Sequence, residues 1–242
     1  MGLLGLFDTK KSIQESGCLS GKTDRHSHIL YGVDDGVKNA QEALSILSYQ
    51  ESIGIKEVWC TPHIMENIPN TTTALKERFE ELCKIYNGPV KLHLAAEYML
   101  DTIFEERLEN KDFLTMEDNT ILVETSTIVP PYDLKGMIKG AMSEGYNILF
   151  AHPERCRFLE IKDCEELCNM GIKLQLNIAS LVGFYGKNTK SKGEILLKKV
   201  LKKVCSPPSV QTAIGRGLSK TNTIQLSLKR RLYKEFVNFR DH

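Results

Sequence analysis

The chain has 242 residues, of which 41% are hydrophobic and 26% are charged, and its formal net charge is +1. This composition is typical of a globular protein and excludes a collagen-like or largely disordered chain. No run approaches the roughly 18 consecutive apolar residues that a membrane span needs, so the sequence predicts no transmembrane helix.

Charge and cysteine usage narrow the class of protein further. Residues 187–242 carry 14 Lys and Arg against 3 Asp and Glu, whereas residues 1–186 carry 18 against 28. A basic tail can bind anions, membranes or nucleic acid. Since no nucleic-acid motif or interleaved aromatic residues accompany these charges, we favour a solvated helix face packed on an acidic body, and we expect no nucleic-acid partner. Seven irregularly spaced cysteines, with no secretory signal, predict a cytoplasmic location.

Short β-rich runs alternate with longer amphipathic stretches along the chain. The predicted strands are 24–29, 56–61, 90–96, 120–124, 147–151, 172–177 and, weakly, 210–214. The predicted helices are 38–53, 71–87, 133–144, 162–170, 188–203 and 221–238. This alternation favours a mostly parallel sheet closed, or nearly closed, into an α/β barrel. An open doubly wound sheet is the alternative, but it would usually carry a glycine-rich phosphate loop after the first strand, and none is present.

The residues of chemical interest lie where these strands end. They are His26, His28, Asp34 or Asp35, His63, Glu97, Glu124 and His152. In an α/β barrel the carboxyl ends of the strands meet at one mouth, so we expect these side chains to converge there. Imidazoles and carboxylates without a thiolate favour a multinuclear Zn, Mn or Fe site, and paired ions suit phosphoester hydrolysis. Arg155 would supply a bidentate donor to a phosphoryl group, and Glu154 is interpreted as a solvated side chain.

The same residues stand in recognisable motifs. These are DRHSHILYGVDDG at 24–36, TPH at 61–63, Glu97, VE at 123–124, AHPER at 151–155 and QLNIAS at 175–180. Together they resemble the PHP (polymerase and histidinol phosphatase) family, and within it the CpsB/YwqE-type manganese-dependent tyrosine-protein phosphatases. The resemblance implies a distorted (β/α)7 TIM-like barrel at 23–203, between an N-terminal tail at 1–22 and an atypical basic segment at 204–242.

The resemblance also implies roles for the candidate residues. The ligands of two ions, with Glu97 bridging them, would be His26, His28, Glu97, Glu124 and His152. Asp35 and His63 would bind a third ion, and Arg155 would hold the phosphate. The implied cofactor is Mn²⁺, with Zn²⁺ or Fe as alternatives. The implied substrate is phosphotyrosine on a protein, typically a bacterial tyrosine kinase that controls capsule or exopolysaccharide synthesis.

The similarity fails near the carboxyl terminus. The family ends its seventh strand with Asp-x-His, which ligates the first and third ions. Here Gly217 and Ser219 stand at those positions, and no Asp or His occurs between residues 164 and 240. A changed reading frame and a genuinely diverged member both explain this, and we expect two ions rather than three. A small-molecule phosphatase of the histidinol-phosphatase type and a catalytically impaired phosphotyrosine-binding regulator are the alternative functions.

Overall fold

The computed structural model of the chain describes residues 19–204 and 224–227, with side chains described for 19–199. Its strands are β1 Thr23–Ser27, β2 Glu57–Cys60, β3 His63–Ile64, β4 Lys91–Leu94, β5 Glu97–Met99, β6 Thr120–Glu124, β7 Asn147–Ala151, β8 Lys173–Asn177 and β9 Ile224–Ser227. Its helices are α1 Ala40–Ser52, α2 Thr72–Ile85, α3 Thr102–Asn110, α4 Leu134–Ser143, α5 Ile161–Asn169, α6 Ile178–Leu181 and α7 Lys187–Val204, with 3₁₀ turns at Glu117–Asn119 and Pro153–Arg155.

All paired strands are parallel, and they form the sheets β1-β2-β4 and β3-β5-β6-β7-β8-β9. Only two residues separate β2 from β3, and two separate β4 from β5. The Ala95 N–H donates to Cys60 O and the Glu97 N–H donates to Pro62 O, both at 2.9 Å, so hydrogen bonding continues across these interruptions. The two sheets therefore follow one another as seven strand positions in chain order.

The first and last of these positions come together. β1 and β9 are the outer strands of the two sheets, and they lie beside each other. This arrangement confirms the predicted parallel α/β architecture, although no hydrogen-bonded ladder joins β1 to β9 within the described residues. Helices connect the strands on the outside, as a right-handed strand–helix–strand crossover requires.

Two predictions differ from the structure. The helix predicted at 221–238 is wrong at residues 224–227, which form β9 and pair with β8. Apolar and polar residues alternate in these four positions, and this period of two suits a strand. The remainder of that helix and the strand predicted at 210–214 lie outside the described residues. Helix α3 was not predicted, although Asp101 accepts a hydrogen bond from the Phe104 N–H and so caps its start.

Alternation along the strands creates two apolar layers. The smaller layer contains Trp59, Ala95, Met116, Leu122, Leu149 and Ala151. The intervening strand residues, such as Ile121 and Phe150, belong to the larger core beneath the helices. Because successive side chains point to opposite faces, a residue two positions beyond a member of the smaller layer lies on the same face of the strand. Side chains at the carboxyl ends of the strands can therefore share a face with this layer. No helix in the described ranges is long and apolar enough to cross a membrane.

Candidate metal centre

Four of the seven predicted ligands lie at or next to the carboxyl ends of β1, β6 and β7, while His63 and Glu97 open the short strands β3 and β5, and Asp35 lies in the loop eight residues after β1. Cross-strand register explains much of the convergence: His63 pairs with Glu97, which pairs with Leu122. Leu122 belongs to the smaller apolar layer, and Glu124, two residues later, lies on the same face of β6. Six of the seven predicted ligands are buried, and the exception is Asp35, whose side chain is 79% exposed.

Glu97 lies at the centre of the cluster. Its Oε2 atom is 2.9 Å from His26 Nε2, 3.1 Å from His28 Nε2 and 3.3 Å from His63 Nδ1. Its Oε1 atom is 2.9 Å from His152 Nε2. One fully buried carboxylate therefore contacts four imidazoles through its two oxygens. This is the position that a carboxylate bridging two cations would take.

Three sets of side chains bring their ligand atoms within 4.8 Å of one another. The sets are His26, His28 and Glu97; His28, Asp35 and His63; and His63, Glu97 and Glu124. The first set contains the three ligands predicted for the first ion. In the third set His63 stands where His152 was expected, with its Nδ1 atom 2.8 Å from Glu124 Oε1, whereas His152 Nε2 is 3.5 Å from Glu124 Oε2.

The donor atoms fit divalent metal ions. His26 Nε2 and His28 Nε2 lie only 3.1 Å apart and both face Glu97. His63 Nδ1 is buried without a hydrogen bond of acceptable geometry, despite its proximity to Glu124. Buried carboxylates packed this closely need compensating positive charge. A set of imidazole and carboxylate donors without thiolate suits Mn, Zn or Fe.

Two further side chains orient the histidines. Asp34 Oδ2 is 2.8 Å from His28 Nδ1, and Gln175 Oε1 is 2.5 Å from His26 Nδ1. These contacts hold each Nδ1 away from the cluster and leave Nε2 directed toward Glu97, as outer partners of metal-binding histidines do. Sequence reasoning left Asp34 and Asp35 open as ligands. The structure separates them, with Asp34 buried behind His28 and Asp35 facing solvent 3.5 Å from His63 Nε2.

The electrostatics of Asp34 agree with this role. Burial raises the pKa of its carboxyl group, but the hydrogen bond and charge of His28, with the backbone amides of His63 and Gly36, together bring the pKa below its ordinary value. The Asp34 carboxylate is therefore held in the ionised form, which favours Nδ1 protonation of His28.

The turn after β7 is strained and buried. His152 has φ 37° and ψ 52°, in the left-handed region that few non-glycine residues adopt, and its N–H donates to Gln175 O at 2.6 Å. Such strain is common at functional sites. Glu154 is buried, so its interpretation as a solvated residue is wrong: its Oε1 accepts from the Asn177 N–H and the Ser180 hydroxyl. Burial raises the pKa of Glu154, and these two hydrogen bonds offset the increase only in part.

Arg155 lies on the same turn, beside a cavity of about 690 Å³. Its guanidinium carbon is 4.4 Å from the centre of the Tyr185 ring, a cation–π contact. The turn is anchored from α7 by Lys192, whose Nζ donates to Pro153 O at 2.8 Å, Cys156 O at 2.8 Å and Leu159 O at 2.6 Å. Sequence reasoning missed Lys192, because nothing in the pattern of α7 distinguishes it from the neighbouring lysines.

The sequence of this chain matches a known protein family. The family profile described as "Capsular polysaccharide synthesis, CpsB/CapC" matches residues 22–209. The chain belongs to the CpsB/CapC family. Similar proteins include the putative tyrosine-protein phosphatase CapC of Staphylococcus aureus, 28% identical over 69% of this chain and 68% of that protein. The tyrosine-protein phosphatase YwqE of Bacillus subtilis is 27% identical over 69% of each chain.

A solved structure agrees with these sequence matches. A chain from the crystal structures of Bacillus subtilis YwqE and Streptococcus pneumoniae CpsB, described as metal-dependent tyrosine phosphatases, superposes with a TM-score of 0.65. It is 26% identical, and the match covers 74% of this chain and 75% of that one. The CpsB/CapC assignment confirms the resemblance, and this superposition agrees with the α/β fold and with metal dependence.

The proposed loss of C-terminal ligands stays a prediction. Gly217 and Ser219 lie outside the described residues. The seventh strand position is occupied by β9 at Ile224–Ser227, which begins after Gly217 and Ser219, so the predicted register that put these two residues at the end of that strand is wrong. After β9 the sequence contains no Asp or His before Asp241. The ligand assignments, the role of Arg155 and the division into 1–22, 23–203 and 204–242 likewise stay predictions.

Proposed function

We propose that this CpsB/CapC member is a metal-dependent protein-tyrosine phosphatase. The observation that carries the proposal is Glu97, buried at the barrel mouth in contact with four imidazoles. Relatives with the same fold are named tyrosine-protein phosphatases. A phosphoric monoester hydrolase is therefore the activity best supported by both the site and its relatives.

We propose Mn²⁺ as the natural ion, with Zn²⁺ or Fe as chemically acceptable substitutes. The residues that would hold two ions are His26, His28, Glu97, Glu124 and His152, while His63 and the exposed Asp35 would provide a weaker third position. When bound, such ions supply positive charge for phosphoryl oxygens and acidify a water molecule. His26 and His28 contribute by presenting neutral Nε2 atoms, because Gln175 and Asp34 engage their Nδ1 atoms.

Arg155 is proposed to bind the phosphoryl group of the substrate. The guanidinium presents several N–H donors in a plane, which matches two phosphoryl oxygens at once. Its place on the 3₁₀ turn directly after His152, together with the Lys192 contacts to that turn, supports this role. The Arg155 guanidinium also packs on the Tyr185 ring.

The biological substrate is proposed to be phosphotyrosine on a bacterial tyrosine kinase that controls capsule or exopolysaccharide synthesis. The family description links its members to capsular polysaccharide synthesis, which supports this choice. A cytoplasmic location is proposed with it. The cysteines of residues 19–199, namely Cys60, Cys83, Cys156, Cys164 and Cys168, are all free thiols, as a reducing compartment would keep them.

The test is a comparison of substrates at controlled metal content. Full-length protein stripped with a chelator and reloaded with Mn²⁺ is assayed on a phosphotyrosine peptide, the matching phosphoserine peptide and histidinol phosphate. We expect metal-dependent release of phosphate from the phosphotyrosine peptide. Preference for histidinol phosphate would instead identify a small-molecule phosphatase. Tight peptide binding by fully loaded protein without turnover would identify a regulator.

A further inference from the structure

The cavity beside Arg155 is distinct from the metal cluster in chemistry. It is lined on one side by the loop after β7, including Arg155 and Arg157, and on the other by the start of α7, including Lys187. Arg157 and Lys187 are exposed and Arg155 is partly exposed. Four cationic side chains therefore border one concave surface, and one of them, Lys192, already donates to three backbone carbonyls.

The protein compensates these cations only in part: burial raises the pKa of Glu154, and the charge of Arg155 opposes that rise. Within the described part of the chain, Arg155, Arg157 and Lys187 form no ion pair with a carboxylate. The single carboxylate of the cavity lining, Glu154, is buried and directs Oε1 to the Asn177 N–H and the Ser180 hydroxyl. Arg155 and Arg157 belong to a segment in which acidic side chains outnumber basic ones, whereas Lys187 begins the basic segment 187–242. The positive charge of the concavity is available for an anionic partner.

The cavity is bordered by a segment that directly follows a candidate ligand. Arg155 lines it and belongs to the turn that begins at His152. An extended peptide advances about 3.3–3.6 Å per residue, so the residues next to a phosphotyrosine held at the mouth reach the surrounding loops. Arg157 is tied to the loop after β6, because its N–H donates to Thr127 O at 2.8 Å. The basic surface is therefore tied to the loops that follow β6 and β7, the strands that end at Glu124 and just before His152.

We propose that this cavity is a specificity subsite that binds acidic side chains flanking the phosphotyrosine of a protein substrate. The proposal rests on the proposed phosphatase function and deepens it. Arg157 and Lys187 are the specificity-determining residues: they attract Asp or Glu near the phosphotyrosine, while Arg155 faces both the cavity and the phosphoryl group. A peptide without acidic flanks, or free phosphotyrosine, gains nothing from Arg157 and Lys187.

The experiment compares two phosphotyrosine peptides that differ only in their flanks, Asp and Glu in one and Asn and Gln in the other. The Mn²⁺-loaded full-length protein is tested alongside the R157E/K187E double variant. Fluorescence anisotropy gives the Kd of each peptide, and phosphate release gives kcat/KM. Free phosphotyrosine reports activity independent of flanks. The matched control is K56E/K91E, which changes the same number of exposed charges at the amino ends of β2 and β4, the opposite end of the strands.

We expect the wild type to favour the acidic peptide by about tenfold at low salt, and this preference to shrink as ionic strength rises. R157E/K187E should lose or reverse the preference while retaining its rate on free phosphotyrosine, and K56E/K91E should keep the preference. If R157E/K187E does not fold, the milder R157Q/K187Q variant should show a reduced preference.

Equal preference in wild type and R157E/K187E, or no preference in the wild type, would overturn the subsite and leave the phosphatase proposal intact. Failure of the wild type to hydrolyse any phosphotyrosine compound would overturn the phosphatase proposal. In that case the Kd values of the two peptides still decide whether the cavity selects acidic flanks.

Discussion

Replacing Lys192 by methionine tests whether one side chain holds the Arg155 turn in place. Methionine keeps a similar length and apolar stem but cannot donate to Pro153 O, Cys156 O and Leu159 O. A hydrogen bond from a charged donor contributes about 1.5–3 kcal/mol. Because Lys192 is only partly buried, water can replace some of these hydrogen bonds in the variant. The free-energy contributions of the three hydrogen bonds therefore do not add in full. We expect the free energy of unfolding to fall by about 2–4 kcal/mol.

For a chain of this size that loss corresponds to a decrease in Tm of roughly 4–16 °C, measured by calorimetry. The matched control is Lys199→Met on the same helix, since Lys199 makes one half-exposed ion pair with Glu165 at 2.8 Å. Such pairs contribute only about 0–1 kcal/mol. Turnover of phosphotyrosine should also fall in Lys192→Met at unchanged metal content. If both variants melt at the same temperature, Lys192 does not hold the turn.

Three other substitutions test the centre itself. Glu97→Gln should lower the metal content per chain, measured by elemental analysis, because one bridging carboxylate would serve two ions. Glu57→Gln, outside the cluster, is the control. Equal metal content in both variants would refute the bridging role. Asp34→Asn should weaken metal affinity about 10–100-fold in chelator competition, since it removes the charge behind His28; unchanged affinity would contradict its orienting role. Arg155→Ala should reduce kcat on phosphotyrosine about 10²–10³-fold, with only partial recovery in Arg155→Lys, and wild-type turnover in either would exclude phosphate binding by this residue.

The sequence alone predicted the parallel α/β architecture and the position of the cluster, because both depend on local patterns. β-rich runs mark the strands, and every candidate ligand except Asp34 and Asp35 lies within such a run or one or two residues after it. The short strand β3 after Pro62 was not predicted, since the predicted strand ended at residue 61. Helix α3 was missed for a related reason: of its nine residues only Phe104 is buried, so its apolar stripe is weak.

The features that sequence reasoning missed depend on contacts between distant segments. In the sequence Glu154 is an acidic residue next to an arginine, a setting that favours exposure to solvent. Its burial depends on the Asn177 N–H and the Ser180 hydroxyl, donors that β8 and α6 supply in the folded chain. Asp34 and Asp35 are equivalent as a pattern. Their difference arises from the turn, in which Asp34 Oδ1 accepts from the Gly36 N–H and Oδ2 reaches His28 and the His63 N–H.

Burial across the cluster bears on how this chain manages without an Asp-x-His motif near its carboxyl terminus. His26, Glu97 and His152 are almost completely enclosed, and their ring or carboxylate atoms are already gathered by strand register and outer hydrogen bonds. Little further ordering is needed for ions there, which favours retention. At the third position Asp35 is exposed and must lose side-chain freedom to bind. Ions would therefore occupy the buried positions more readily than the third one, and a pair of ions held there would supply positive charge for phosphoryl oxygens.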